Sequence, residues 1–114
     1  MKAIIQTSGA LLAEEVETAD SLLARLKGLL GRDSLPQGHA LWLRPCNGIH
    51  TFGMRFPIDV VVLDRIMKVS AIHHNVQPNR MTRLYPSGCS VLELPSGTVH
   101  KAGLVLEDTL VIVP

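Results

Sequence analysis

Short apolar runs separated by glycine, proline and polar turns fill most of the chain and predict a β-rich domain. The clearest run extends from Phe56 to Leu63. It is almost continuously aliphatic and β-branched, which predicts a central strand buried on both faces. The remaining strands are predicted at 2–7, 10–17, 40–43, 66–76, 89–94 and 106–113. Ser8-Gly9 joins the first two as a turn, although the start of the second could equally begin a helix.

One segment has helical rather than strand spacing. Asp20 or Ser21 can cap its start, and Gly31 suits the left-handed position at its end. Its leucines fall at i, i+1, i+4, i+7 and i+8, on one face of a helix: Leu22, Leu23, Leu26, Leu29 and Leu30. This predicts one long amphipathic helix whose leucine face packs on a sheet or over one end of a barrel. A single further helical turn, capped by Thr98 and ended by Gly103, is predicted near the C-terminus.

Seven or so strands with one good helix predict a β-rich α+β domain, either barrel-like or two-layer and antiparallel. The length of 114 residues indicates one domain over 1–114. Apolar residues make up 46% of the chain and charged residues 18%, a balance that favours a well-filled core over disorder.

The charge pattern limits the classes of binding partner that the sequence predicts. The net charge of +1 gives no general attraction to nucleic acid or lipid. The stretch from Arg65 to Ser90 nevertheless contains no acid and carries four cations and two histidines: Arg65, Lys68, Arg80, Arg83, His73 and His74. A solvated loop is the ordinary interpretation, and weak binding of an anion or nucleic acid through Arg65–Arg83 is the alternative. Only Tyr85 could stack on a base there, which disfavours nucleic acid.

No apolar stretch is long enough to span a membrane. Polar residues from Gln6 onwards interrupt the apolar start of the chain, so no signal-peptide core is formed. The sequence therefore predicts a cytoplasmic protein without a membrane partner.

Three segments together resemble a known family: Arg25 to Pro36, Ile49 to Asp64, and Val91 to Thr98 with Gly103-Leu104 and Glu107-Asp108 after it. Their order and spacing are similar to the DUF192 (UPF0127) family of uncharacterised proteins over residues 10–112. The resemblance implies a compact β-rich fold with one long helix and implies no activity. The chain has Gly53-Met54 where many relatives have Asn-Thr, and Glu107-Asp108 where relatives often have Gly-Asp.

The segment from His50 to Asp59 is the best candidate site. Asp59 lies inside an apolar run, so a buried carboxylate there needs hydrogen bonds or a cation. Arg25, Arg32 and Arg55 are possible partners. One interpretation is a structural polar network between helix and sheet, and the other is a functional pocket.

The favoured function is a non-enzymatic binding or accessory module. Its groove between helix and barrel would be lined by His50, Thr51, Met54, Arg55 and Asp59, with Arg25, Arg32 and Trp42 at the rim. The ligand would be a small polar or anionic molecule or an extended peptide segment. The alternative is a small enzyme of unknown reaction that uses His50 and Asp59.

Metal and thiol chemistry have little support. Adjacent His73 and His74 on a strand point to opposite faces, and no pair of histidines or cysteines has metal-ligand spacing, so no metal or cofactor is expected. Cys46 and Cys89 have no surrounding nucleophile motif, and two idle thiols are the default. Whether they meet, and the oligomeric state, stay open.

Overall fold

The computed structural model describes residues 1–114 and contains eight strands and two short helices. The strands are β1 (Lys2–Ile5), β2 (Leu11–Ala13), β3 (Glu15–Ala19), β4 (His39–Leu43), β5 (Ile58–Leu63), β6 (Val69–Val76), β7 (Ser90–Pro95) and β8 (Leu110–Val113). The helices are α1 (Leu22–Lys27) and α2 (Thr98–Ala102). Neither helix has the length and apolar character needed to cross a membrane.

The strands form two sheets. One has three strands in the order β2-β1-β8, and the other has five in the order β3-β4-β7-β5-β6. All paired neighbours are antiparallel except β3 and β4, which are parallel. The β-rich class and the two-sheet arrangement are confirmed. The barrel-like alternative is not observed, because the strands form two separate sheets that do not close on each other. An isolated bridge between Lys68 and Thr109 joins only the starts of β6 and β8.

Strand β5 confirms the prediction of a central, doubly buried strand. It lies between β6 and β7, and all six of its residues are fully buried. Successive side chains enter two different apolar clusters, as the two-residue period of a strand requires. Val61 and Leu63 face the first cluster, whereas Val60 and Val62 face the second.

The two clusters lie on opposite faces of the five-stranded sheet. The first fills the space between the sheets, where Ile5 and Leu110 meet Trp42 and Leu92. The second lies on the other face, where the chain that follows α1 covers strands β4, β5 and β7; it includes Leu29, Leu43, Met54, Val60 and Val91. The candidate site described below opens on this second face.

The prediction of one long amphipathic helix is wrong. Helix α1 has six residues, and the backbone of Gly28, at φ 48° and ψ −125°, turns away from it. Ser21 does cap the helix as predicted, because its Oγ accepts a hydrogen bond from the Ala24 amide at 3.1 Å. Leu22, Leu23 and Leu26 are 66%, 79% and 61% exposed. The three leucines within α1 therefore do not pack on a sheet, whereas Leu29, which follows the helix, is buried in the second cluster.

Helix α2 follows the prediction more closely. Gly103 ends it in the left-handed conformation, as expected. The capping residue is Gly97 rather than Thr98, and no side chain of its own segment caps it. The acceptor for its first amides comes instead from β5, as described below.

Two leucine-to-alanine substitutions test whether α1 ends before Leu29 and leaves its own leucines exposed. Leu29 is buried, so Leu29→Ala should lower the free energy of unfolding by about 2–5 kcal/mol. Leu23→Ala, the matched change on an exposed side chain, should alter it by less than about 0.5 kcal/mol. Urea unfolding of both variants measures the difference, and equal losses would contradict the short helix.

Candidate functional site

A cavity of about 220 Å³ lies beneath α1. Three parts of the chain form it: α1 with the turn after it, the loop from Pro45 to His50, and the strands below. Its lining residues include Arg25, Leu26, Lys27, Gly28, Leu29, Leu30, Leu43, Cys46, Ile49, His50, Met54 and Glu93. Of the residues predicted for the site, Arg25, His50 and Met54 line this cavity.

Glu93 forms the polar floor of the cavity. It lies in β7 between Leu41 of β4 and Val60 of β5, on the face of the second apolar cluster. Only 3% of the residue is exposed, and its Oε1 atom makes no hydrogen bond. A Cβ on Gly28 would lie 3.7 Å from this oxygen, so the turn after α1 passes directly over the carboxyl group.

Burial raises the pKa of Glu93 from its ordinary 4.5 to about 8, and the positive charge of Arg32 offsets only part of that rise. Arg32 is engaged elsewhere, since its guanidinium lies 2.9 Å from Glu17 and lowers the pKa of that exposed carboxyl through their hydrogen bond. At neutral pH the Glu93 carboxyl is therefore mostly protonated and uncharged.

Sequence reasoning missed Glu93, although a signal was present. The residue lies inside the apolar run Val91–Pro95, just as Asp59 lies inside its own apolar run. An acid in a strand with no cation beside it is the pattern that a buried carboxyl produces.

The rim of the cavity carries His50, Arg25 and Lys27. His50 stacks on Phe52 with ring centroids 5.4 Å apart, and its Nδ1 accepts a hydrogen bond from the Phe52 amide at 3.2 Å. Arg25 donates to the backbone oxygen of Asp20 at 3.0 Å and pairs with no carboxylate. The rim therefore presents cations whose charge no side chain neutralises.

Cys46 also lines the cavity, as an unactivated thiol. Its Sγ donates to the Gly48 carbonyl at 3.1 Å, and burial raises the pKa of the thiol. The Cys46 amide donates to the Cys89 carbonyl at 3.0 Å, so the two backbones are adjacent, but both thiols are free. A protonated thiol is a poor nucleophile.

Asp59 lies on the opposite face of the sheet from the cavity. It is fully buried and accepts three backbone hydrogen bonds, from Asn75 at 2.9 Å, Gly97 at 3.1 Å and Val99 at 3.0 Å. Two of these donors belong to the start of α2. The Asp59 carboxylate therefore caps α2 from a neighbouring strand and needs no cation.

The other predicted site residues also have partners outside the cavity. Thr51 is fully buried; its hydroxyl donates to the Gln77 carbonyl at 2.7 Å and accepts from the Arg80 amide at 2.9 Å. Arg55 pairs with Asp33 on the surface. Trp42 belongs to the first apolar cluster, with the Arg44 guanidinium 4.2 Å from its ring centroid. The structure does not bring these three side chains, Asp59 or Arg32 into the cavity.

Several positive groups of the acid-free stretch contact other side chains. Lys68 lies 3.8 Å from Glu107, and Arg83 lies over the ring of Tyr85 at 5.2 Å. The hydroxyl of Tyr85 is 2.7 Å from Nε2 of His73, whose pKa is lowered by burial. These contacts leave Arg65, Arg80 and His74 as exposed cationic or titratable groups there.

A second, wider hollow of about 470 Å³ lies between β2 and α2. Its one buried polar atom without a partner is the hydroxyl oxygen of Thr98. An unpaired hydroxyl costs much less to bury than a carboxyl group. The Glu93 cavity is therefore the stronger candidate site.

The comparisons with known proteins show the fold and the family. No curated protein matches the sequence. A protein of unknown function from Novosphingobium aromaticivorans matches 98% of this chain and 93% of its own, with a TM-score of 0.78 and 18% identity. A protein from Sinorhizobium meliloti described as a proposed transcription regulator matches 96% and 89%, with a TM-score of 0.80 and 24% identity. The family model DUF192, described as "Uncharacterized ACR", matches residues 3–112, and the chain belongs to this family.

Proposed function

We propose that this protein is a non-enzymatic binding module whose ligand enters the cavity beneath α1. The observation that carries the proposal is Glu93, which lines the cavity, is buried, and has an Oε1 atom without a hydrogen-bond partner. An unpaired buried polar group costs about 1–3 kcal/mol. A ligand that hydrogen-bonds to Glu93 would remove that cost.

Comparison of the two buried acids supports a binding role for Glu93. Asp59 has three backbone donors, as a structural carboxylate requires, and lines neither of the two cavities described above. Glu93 has no donor and a cavity in front of it. Buried polar groups that the fold leaves unpaired are exceptions in native proteins and call for an explanation.

The exposed leucines support the same location. Leu22 and Leu26 line the cavity, yet both are more than half exposed. Their apolar surface would be covered by a bound ligand at a gain of about 25 cal/mol per Å². The site thus combines exposed leucines, which lie beside Arg25 and Lys27, with a polar group at its floor; small-molecule sites commonly combine apolar surface with a few polar groups.

Binding is favoured over catalysis by the state of Cys46. An acyl- or thiol-transfer enzyme would need an activated nucleophile, whereas burial raises the pKa of Cys46. The proposed compartment is the cytoplasm, where two unpaired cysteines would remain reduced.

A thermal-shift screen against metabolites, nucleotides and short peptides tests the binding role. A ligand at one hundred times its Kd should add about 2.7 kcal/mol of stability, which corresponds to roughly 10 °C in Tm. Glu93→Leu should abolish the shift while leaving the protein folded, because an apolar side chain of similar size replaces an unpaired polar one.

Glu15→Leu is the matched control, since Glu15 is an exposed strand residue without a side-chain partner. It should leave the shift unchanged. A ligand whose shift survives in Glu93→Leu would bind elsewhere, and a screen without any hit would count against a small-molecule site.

A further inference from the structure

The groups that line the cavity carry a net positive charge. When Glu93 is protonated, the remaining charged side chains there are Arg25 and Lys27. Neither forms an ion pair, because the three ion pairs of the protein join other residues. A partly enclosed cavity with two uncompensated cations attracts anions and repels cations.

The walls of the cavity are mainly apolar. Leu29, Leu30, Ile49 and Met54 form walls without charge. The protonated Glu93 carboxyl can donate one hydrogen bond, which a neutral hydrocarbon could not accept. The bond from a carboxylic acid to a carboxylate is short and charge-assisted, and is among the strongest that such a group can make.

Building on the binding role above, we propose that the ligand is a small apolar carboxylate, held with its charged end against Glu93 and its hydrocarbon part against the leucines of α1. Arg25 and Lys27 supply the favourable potential. The same chemistry is offered by a free short-chain acid and by the C-terminal residue of a protein that ends in leucine.

The volume sets the size of the ligand. The cavity of about 220 Å³ equals the liquid volume of roughly seven water molecules. A six-carbon acid, with about eight non-hydrogen atoms, is of this size. Ligands of so few atoms bind with a Kd on the order of 1 mM, so hexanoate is a suitable probe.

Hexanoate titrations of the full chain from pH 6.5 to 9, followed by the methyl resonances of Leu26, Leu29 and Met54, test the proposal. The Kd should be constant below about pH 7. It should rise towards tenfold per pH unit above pH 8, because ionised Glu93 has lost the donated proton and repels the ligand. Glu93→Gln retains a donor and should bind hexanoate without this pH dependence.

The other charged or titratable groups around Glu93 are Arg25, Lys27, Arg32, Cys46 and His50. Substitutions of Lys27 and His50, with one control, test two of them. Lys27→Glu should weaken binding by roughly threefold, the size of a surface charge pair. Lys101→Glu is its matched control, because Lys101 is likewise exposed in the last turn of a short helix. His50→Gln should keep the pH profile, which assigns that profile to Glu93.

Titrations with hexylammonium and hexanol, compared with hexanoate, test whether the ligand is a carboxylate. Both should bind more weakly than hexanoate. If either binds more tightly, the carboxylate assignment is overturned and the binding role stands. If none of the three compounds shifts the methyl resonances and the broader screen also gives no hit, the binding role is overturned as well.

Acetyl-alanyl-leucine distinguishes the two sources of the carboxylate. Tighter binding than hexanoate indicates a protein C-terminus, and weaker binding indicates a free acid.

Discussion

Replacing Glu93 by glutamine should remove the largest pH-dependent contribution to folding stability between pH 5 and 8.5. The folded protein holds a proton on Glu93 up to about pH 8, whereas the unfolded chain releases it near the ordinary value of 4.5. Between these values the unfolded state binds fewer protons. The stability of the wild-type protein must therefore fall as the pH rises, and level off above pH 8.

The size of the effect follows from the same two values. The difference of 8 − 4.5 pH units, at 1.36 kcal/mol per unit, sets an upper limit of about 5 kcal/mol. Glu93→Gln should match the wild-type protein to within about 1 kcal/mol at pH 5 and exceed it by several kcal/mol at pH 8.5, because glutamine never ionises.

Urea unfolding at a series of pH values measures this difference. Glu15→Gln removes the same charge from an exposed position and should leave the slope of stability against pH unchanged. Parallel curves for the wild-type protein and Glu93→Gln would show that Glu93 is solvated or paired in solution, which would remove the basis of the proposed site.

The second large effect on folding stability is expected from substitution of Asp59. Asp59→Ala leaves the amides of Asn75, Gly97 and Val99 buried without their acceptor. Hydrogen bonds to a charged group contribute about 1.5–3 kcal/mol each. With partial relaxation of α2, we expect a loss of about 3–5 kcal/mol in the free energy of unfolding, and a smaller loss for Asp59→Asn, which keeps one acceptor oxygen.

Asp33→Asn provides the comparison for this effect. The Asp33 side chain is 87% exposed and pairs with Arg55 on the surface, so its loss should cost at most about 1 kcal/mol. Chemical denaturation of the three variants gives the ranking. A loss at Asp59 no larger than at Asp33 would contradict its role as the cap of α2.

The two acids show how far sequence reasoning about the site could go. Each lies in an apolar strand, which predicts a buried carboxyl in need of a partner. For Asp59 the sequence suggested arginine, but the partners are backbone amides from segments 16 to 40 residues away in the chain. For Glu93 no partner exists within the protein. Only the packing of strands and turns around each side chain could distinguish these outcomes.

The sequence by itself determined what depends on neighbouring residues. Local spacing and backbone preference account for strand β5, the hairpin of β1 and β2, the Ser21 cap of α1 and the end of α2 at Gly103. The sequence motifs were sufficient to indicate the DUF192 family. Tertiary structure alone decided the rest. Leucine spacing predicts a helical face but not whether a surface lies opposite it, so the exposure of Leu23 and the burial of Leu29 could not be predicted. The cavity likewise joins α1, β7 and the loop before His50, whose proximity arises only from the packing of the whole chain.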